Sequence, residues 1–188
     1  MPPKARITRD MIVGAGLEVA RERGIEQVNA RTVSERLGCS TQPVMYHFAR
    51  IEDLKRAVYR QADALHTAFI TDVRDENPML AIGLNYIRFA QREKQLFRLL
   101  FQSDGFEGKS VAELIKAPEL GPVLAVLCGA AGLSPPQARE VFRMLFLLVH
   151  GYASMFANNS LAYDENVIAA DLARAFAGAV QIAKEEKP

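Results

Sequence analysis

The 188-residue sequence has only two cysteines, Cys39 and Cys128, with no Cys-x-x-Cys spacing. A disulfide scaffold and a cysteine zinc site are thereby argued against, and two buried reduced thiols are expected. Histidine is almost as scarce. His47, His66 and His150 are the full set, and no HExxH, GxSxG or phosphate-loop pattern accompanies them. Zinc hydrolysis, nucleophile-elbow chemistry and nucleotide hydrolysis therefore lack residues to carry them. Asp75-Glu76, Glu107 and Glu185-Glu186 read as solvated charges. No enzyme activity, cofactor or metal is expected. No apolar run approaches the ~18 to 20 uncharged residues of a membrane helix. The longest, Met144 to Val149, is too short, and MPPKARITRD has no apolar stretch behind its charges, so it is not a signal peptide. The expectation is a cytoplasmic protein without a membrane partner. Sustained alternation, internal repeats and low-complexity tracts are also missing, so no strands are expected.

Charge is present but unevenly placed. Residues 1 to 60 hold eleven Lys/Arg against seven Asp/Glu, a balance of +4. Residues 61 to 188 hold twelve against fifteen, a balance of −3, and the two give the net +1. A basic first third suits a polyanion partner, although the excess is modest.

The positive content of the chain is helical periodicity. Ile12, Ala15, Gly16, Val19 and Ala20 form one apolar face, with Thr8 as N-cap and Gly24 as stop. Asn29 caps a second helix carrying Val33 and Leu37, and Gly38 ends it. Ser40 is expected to cap a short third helix with Pro43 in its first turn, where a missing N–H does no harm. Val44 and Phe48 then point inward. A longer helix runs through Ile51, Leu54, Val58, Ala62, Leu65, Phe69 and Val73, ending at Arg74 to Pro78. An apolar helix from Met79 leads into the dense stretch Leu96 to Phe101. Ser103 to Lys109 reads as a loop, Ser110 to Lys116 as a short helix, and another helix follows Pro118 to Gly132. Ser134-Pro135-Pro136 starts a helix to about Asn158, apolar on most of its circumference and so expected to be buried on more than one side. The last helix starts near Asp164 and presents Ile168, Leu172, Ala175, Phe176, Ala179 and Ile182.

Residues 29 to 54 concentrate the chemistry. A short helix stops at a glycine, a Ser-Thr-Gln-Pro run restarts the chain, and aromatics follow: the layout of a helix-turn-helix whose second helix enters a DNA major groove. Thr41 and Gln42 are short polar side chains at the end that approaches base edges, and glutamine can pair bidentately with adenine. Ser40 can donate to phosphate, as can the amides at the helix start. Pro43 and Met45 suit a thymine methyl, Tyr46 and His47 phosphate oxygens. Arg31 and Thr32 begin the preceding helix, placed to grip the backbone. Plainer roles exist for several: Ser40 as a cap alone, Met45 as core, Tyr46 packed on the first helix, His47 as an idle surface residue.

Arg31 to Phe48 resembles the N-terminal domain of the TetR (tetracycline-repressor) family of bacterial transcription regulators. Val33-Ser34 falls at the family's apolar-small pair, Gly38-Cys39-Ser40 at its turn and His47-Phe48 at the end of its recognition helix. Ala15, Gly24 and Glu52-Asp53-Leu54 also fit. There are three departures. Met45 stands where an aromatic is usual, with Tyr46 one place later. Pro43 replaces a small hydroxyl residue. Ile51 replaces a lysine that touches phosphate, a contact left to Arg50 or Lys55.

The resemblance implies an all-α fold of about nine helices, with a three-helix helix-turn-helix domain at 1–50 and a helical ligand-sensing and dimerisation domain at 51–188. It implies a homodimer through the last two helices, a pseudo-palindromic double-stranded DNA operator, and repression relieved when a ligand shifts the fourth helix. Apolar and aromatic residues of the middle helices are the candidate lining: Phe69, Phe89, Phe97, Phe101, Met144, Leu148 and Tyr152, with Asn85 and His150 as polar groups. They suit a small apolar or aromatic effector, and any one of them can equally be plain core. A regulator without an effector, or one answering to a protein partner, is the first alternative; an all-α enzyme is the second.

Overall fold

The computed structural model describes residues 7–73, 77–103, 110, 113, 116 and 120–185. Among them are nine α-helices and no strand: α1 (Arg9–Arg23), α2 (Ala30–Leu37), α3 (Gln42–His47), α4 (Ile51–Thr71), α5 (Pro78–Arg92), α6 (Lys94–Phe101), α7 (Gly121–Ala131), α8 (Pro135–Asn158) and α9 (Glu165–Glu185). The expected all-α class is what the chain adopts. The loop and short helix expected over 103–116 fall almost wholly outside the described residues.

The chain divides into two compact units. The first joins Met1–Thr67 to Glu93–Gly105, and the second joins Ala68–Arg92 to Phe106–Pro188. Helix α6 thus belongs with the N-terminal helices. A break at Glu93, between α5 and α6, was not anticipated from sequence. Glu93 is ion-paired to Arg21 of α1 at 2.9 Å, which ties the start of α6 to the first helix.

In the first unit local chemistry sets the helix ends. The Met11 amide donates to Thr8 Oγ1 at 3.3 Å, capping α1, and Gly24 ends it at φ 88°. Asn29 Oδ1 accepts from the Arg31 and Thr32 amides, both at 3.0 Å, and Thr32 Oγ1 accepts from the Asn29 amide at 3.2 Å. That reciprocal box satisfies donors that a helix start otherwise leaves open. Gly38 closes α2 in the left-handed region at φ 63°, and the Cys39 amide donates to the Ser34 carbonyl at 3.0 Å. A side chain at Gly38 would meet no atom within 4 Å, so backbone strain alone is at issue. Gly38→Ala should therefore cost about 1 to 2 kcal/mol, read as a lower urea midpoint with an unchanged slope. Ile12, Val28, Val33, Val44, Phe48, Leu54, Val58, Leu96 and Phe97 form the unit's core.

In the second unit α8 packs against α5, α7 and α9. Ser134 caps α8 ahead of Pro135 and Pro136, and Gln137 Nε2 donates to the Ala183 carbonyl of α9 at 2.5 Å. Arg88 is ion-paired to Glu165 through Nε–H at 2.8 Å. Asn85 donates to the Asp72 carbonyl at 3.2 Å and accepts from Arg88 at 2.8 Å. Its amide is thus committed to holding α5.

Three expectations need correction. Helix α8 buries Ala138, Val141, Val149, Ala153, Phe156 and Ala157, but Met144, Leu147 and Met155 stay exposed. The protomer therefore covers less of it than its composition calls for. The apolar-run criterion also undercounted this helix: by length and composition alone it could cross a bilayer. A bundle helix contacted by three neighbours passes the same test. Finally, Cys39 and Cys128 are free thiols, but half-buried rather than buried.

Candidate functional site

The αL turn at Gly38 and the buried Val44 and Phe48 orient α3. With those two inside, the opposite face of a six-residue helix must point outward. Thr41, Gln42, Met45 and Tyr46 are all exposed, and Pro43 and His47 are half-buried. Tyr46 is 79% exposed, so it does not pack on α1, and Met45 at 46% is not core. Those exposures remove two of the plainer roles. Large apolar and aromatic side chains are left at the surface beside polar ones, as a base-reading helix requires.

Ser40 departs from expectation. Helix α3 begins at Gln42, and Thr41 occupies the cap position with no side-chain cap bond. The reason is local: were Ser40 the cap, its usual third-residue donor would be Pro43, which has no N–H. Ser40 remains exposed in the turn. His47 also has a structural contact, for its Nε2–H donates to the Ile7 carbonyl at 3.1 Å. A carbonyl can only accept, so the proton sits on Nε2. This bond joins the end of α3 to the start of α1.

The backbone-gripping candidates are partly occupied. The Thr32 hydroxyl donates to the Gln27 carbonyl at 2.6 Å. Arg31 is ion-paired to Glu35 at 2.9 Å, but its side chain is 84% exposed and free to swing. Lys55 pairs with Glu26 at 3.1 Å. Such exposed pairs are each worth at most ~1 kcal/mol, so a phosphate can compete for either cation. Arg50 is exposed and lies next to Ile51.

The candidate lining residues do not form one group. Phe97 and Phe101 lie in the first unit, ring centroids 5.0 Å apart, with Phe101 also 5.0 Å from His66. Phe69 and Phe89 pair edge-to-face at 5.6 Å in the second unit. Met144 is exposed and Leu148 half-buried. Tyr152 donates to Asp171 and lines an open apolar groove of about 260 Å³ with Met155, Phe156, Leu161 and Val167. Asn85, committed as above, has little left to offer a ligand.

A different aromatic row was missed. Phe142, Phe146 and His150 step every four residues along α8, with centroids 6.0 and 5.5 Å apart. Tyr86 meets Phe146 edge-on at 6.2 Å and bonds to His150 Nδ1 at 3.0 Å. Burial holds the Tyr86 hydroxyl far above its ordinary pKa and pushes the His150 imidazole below its own. Both are neutral near pH 7, and the imidazole tautomer sets which of the two donates. The four-residue spacing was the signal that could have found this row. Among the described residues no group of three or more His, Cys, Asp or Glu could hold a metal ion.

The C-terminal part of the chain decides the family. Residues 79–181, more than half of the chain, match the family described as "Tetracyclin repressor-like, C-terminal domain". The chain belongs to the TetR family. No curated protein matches it. The match covers α5 to α9, apart from the ends of α5 and α9, and so stands independently of the α1 to α3 motif that first suggested a TetR-like regulator.

Proposed function

We propose that this TetR-family chain is a cytoplasmic transcriptional repressor. It binds a pseudo-palindromic double-stranded operator as a homodimer through α8 and α9, and a small apolar or aromatic effector releases it. The observation that carries DNA binding is the exposed face of α3, set by the left-handed turn at Gly38 in a chain of this family. Residues 1–50 form the reading head in this proposal. Thr41, Gln42, Pro43 and Met45 face base edges, and Arg31, Thr32, Ser40, Tyr46, His47 and Lys55 lie toward phosphates. His47 does so at the end it also ties to α1.

The effector reading rests on the aromatic content of the second unit, Phe69 and Phe89 above all, with Met144, Leu148 and Tyr152 on α8. Phe97 and Phe101 belong to the first unit and fit a packing role better. Helix α4 runs unbroken from Ile51 to Thr71, through the division at Thr67, which suits it to carry a shift between sensor and head. A rise in melting temperature with apolar aromatic compounds supports the sensor; turnover of such a compound would favour an enzyme instead.

Footprinting on the DNA upstream of the neighbouring genes tests the main proposal. Two protected half-sites related by a dyad are expected, and protection without two-fold symmetry overturns the dimer-on-palindrome reading. Gln42→Ala should cost about 1 to 3 kcal/mol on the operator and little on unrelated DNA. An equal loss on both would remove Gln42 from base reading.

A further inference from the structure

Beside the proposed base-reading helix, the first unit holds a second polar feature. An open cleft of about 190 Å³ lies between α1 and α4, lined by Arg9, Asp10, Val13, Ala57, Arg60 and Gln61. Among the described residues, its two arginines share with Arg23 and Arg50 of this unit the lack of an ion-pair partner, and differ from them in lining one cleft. Arg21, Arg31, Arg36, Lys55 and Arg56 in this unit are each ion-paired to a carboxylate. Among the described residues, Arg9 and Arg60 pair with none, although Asp10 lines the same cleft. Arg9 is instead held with its guanidinium 4.7 Å from the centroid of the ring of Phe48, the residue that ends α3. That cation–π contact restrains the side chain without neutralising its charge. Gln61 adds an amide donor to the same cleft.

Two forked guanidiniums and an amide in one cleft match a tetrahedral oxyanion, to which arginine donates in parallel pairs. We propose that this cleft is a phosphate-binding site, and that its natural occupant is a phosphodiester of the DNA backbone outside the base pairs read by α3. The inference rests on the DNA-binding reading for the source of the phosphate but not for the site. Arg9 stands over Phe48, and His47 holds Ile7 to the end of α3. A phosphate gripped by Arg9 is therefore mechanically coupled to the recognition helix. A free phosphate ester has the same chemistry and is the other source; held in the cleft, it would compete with the backbone. Asp10 opposes either occupant by its charge, which gives a test in the opposite direction.

The test uses the full chain and its Arg60→Gln, Arg9→Gln, Asp10→Asn and Arg23→Gln variants, the last an exposed cation outside the cleft. Duplex binding is measured across a salt series, and inorganic phosphate is titrated against chloride at matched ionic strength. If the occupant is DNA, Arg60→Gln and Arg9→Gln each weaken operator and unrelated duplex alike, by about 3- to 10-fold. The salt slope falls by about 1 in each. Asp10→Asn tightens both duplexes, and Arg23→Gln changes neither by more than its charge. If the occupant is a free phosphate alone, Arg60→Gln keeps wild-type duplex affinity and salt slope but loses the melting shift that inorganic phosphate induces in the wild type. The proposal is overturned if Arg60→Gln matches wild type in affinity, salt slope and phosphate response. It is also overturned if Arg23→Gln reproduces the whole effect. Should the wild type bind no duplex, the operator reading fails, and a phosphate-induced melting shift absent from Arg60→Gln still decides the cleft.

Discussion

Replacing Leu147 and Met155 together with arginine should turn the proposed dimer into a monomer and weaken operator binding by about 10²- to 10⁴-fold. The expectation starts from the surface of α8. Met144, Leu147, Gly151 and Met155 recur at three and four residues, and the three large ones are exposed. On α9, Val167 and Ile182 are exposed as well, at 54% and 47%. A Cβ at Gly151 or Gly178 would meet no atom within 4 Å, so the protomer leaves both helix surfaces open to close approach. Large exposed apolar side chains on two adjacent helices of one protomer are the pattern of a surface that a second copy covers. One head reading a few base pairs gains little specificity, and joining two heads makes the second contact intramolecular. Because both residues are exposed in the protomer, the substitutions disturb its own core little. Sedimentation or light scattering reads the mass, and circular dichroism at two concentrations separates a folded monomer from an unfolded one. A variant that stays dimeric with full operator affinity would place the interface elsewhere.

How far the sequence led differs between the two units, for physical reasons. In the head the signals are local. Thr8, Asn29 and Gly38 act through bonds spanning two to five residues, so a linear reading places α1 and α2 almost to the residue. Ser40 failed because its cap partner lies three residues on, at a proline, a detail visible in the sequence but outweighed by the general preference for serine. In the second unit the same side chains could be core, pocket or interface, and only tertiary packing separates these. Phe97 and Phe89 illustrate this. Both are fully buried aromatics eight residues apart, yet the break at Glu93 sends one to each unit. Arg88, three residues on along α5, is a local partner of Asn85, but the Asp72 carbonyl thirteen residues back, which takes up the Asn85 amide N–H, is not announced by any local signal. The Arg9 and Arg60 cleft was illegible for the same reason, since its two arginines are fifty-one residues apart in the chain.

Acid should destabilise the first unit between pH 6.5 and 4, by about 3 kcal/mol across that window, and His66→Leu should remove most of this slope. His66 sits on α4, 6% exposed, with its ring against Phe101. Burial disfavours the imidazolium and pushes its pKa from 6.5 down to about 4. Between those values the unfolded chain holds the proton and the folded chain does not. Stability therefore rises with pH in that interval, fully present above about 6.5 and lost as pH falls toward 4, at no more than ~1.4 kcal/mol per unit. The shifted carboxylates add to this slope only toward its acid end, and equally in wild type and variant. Glu22 is lowered by its bond to Arg36 and Glu165 by Arg88, so each contribution is present above the ordinary carboxylate value and is lost as pH falls from there. His150 is also lowered by burial and acts in the same direction in the second unit, which leaves a residual slope in the variant. Leucine is close to histidine in size and keeps the contact with Phe101, so the pH slope, rather than the midpoint at pH 7, is the readout. Urea unfolding at pH 7, 6, 5 and 4.5 gives it directly. Parallel pH curves for wild type and variant would mean that His66 takes up its proton as readily in the folded protein as in the unfolded chain, with the helix opening enough to hydrate it.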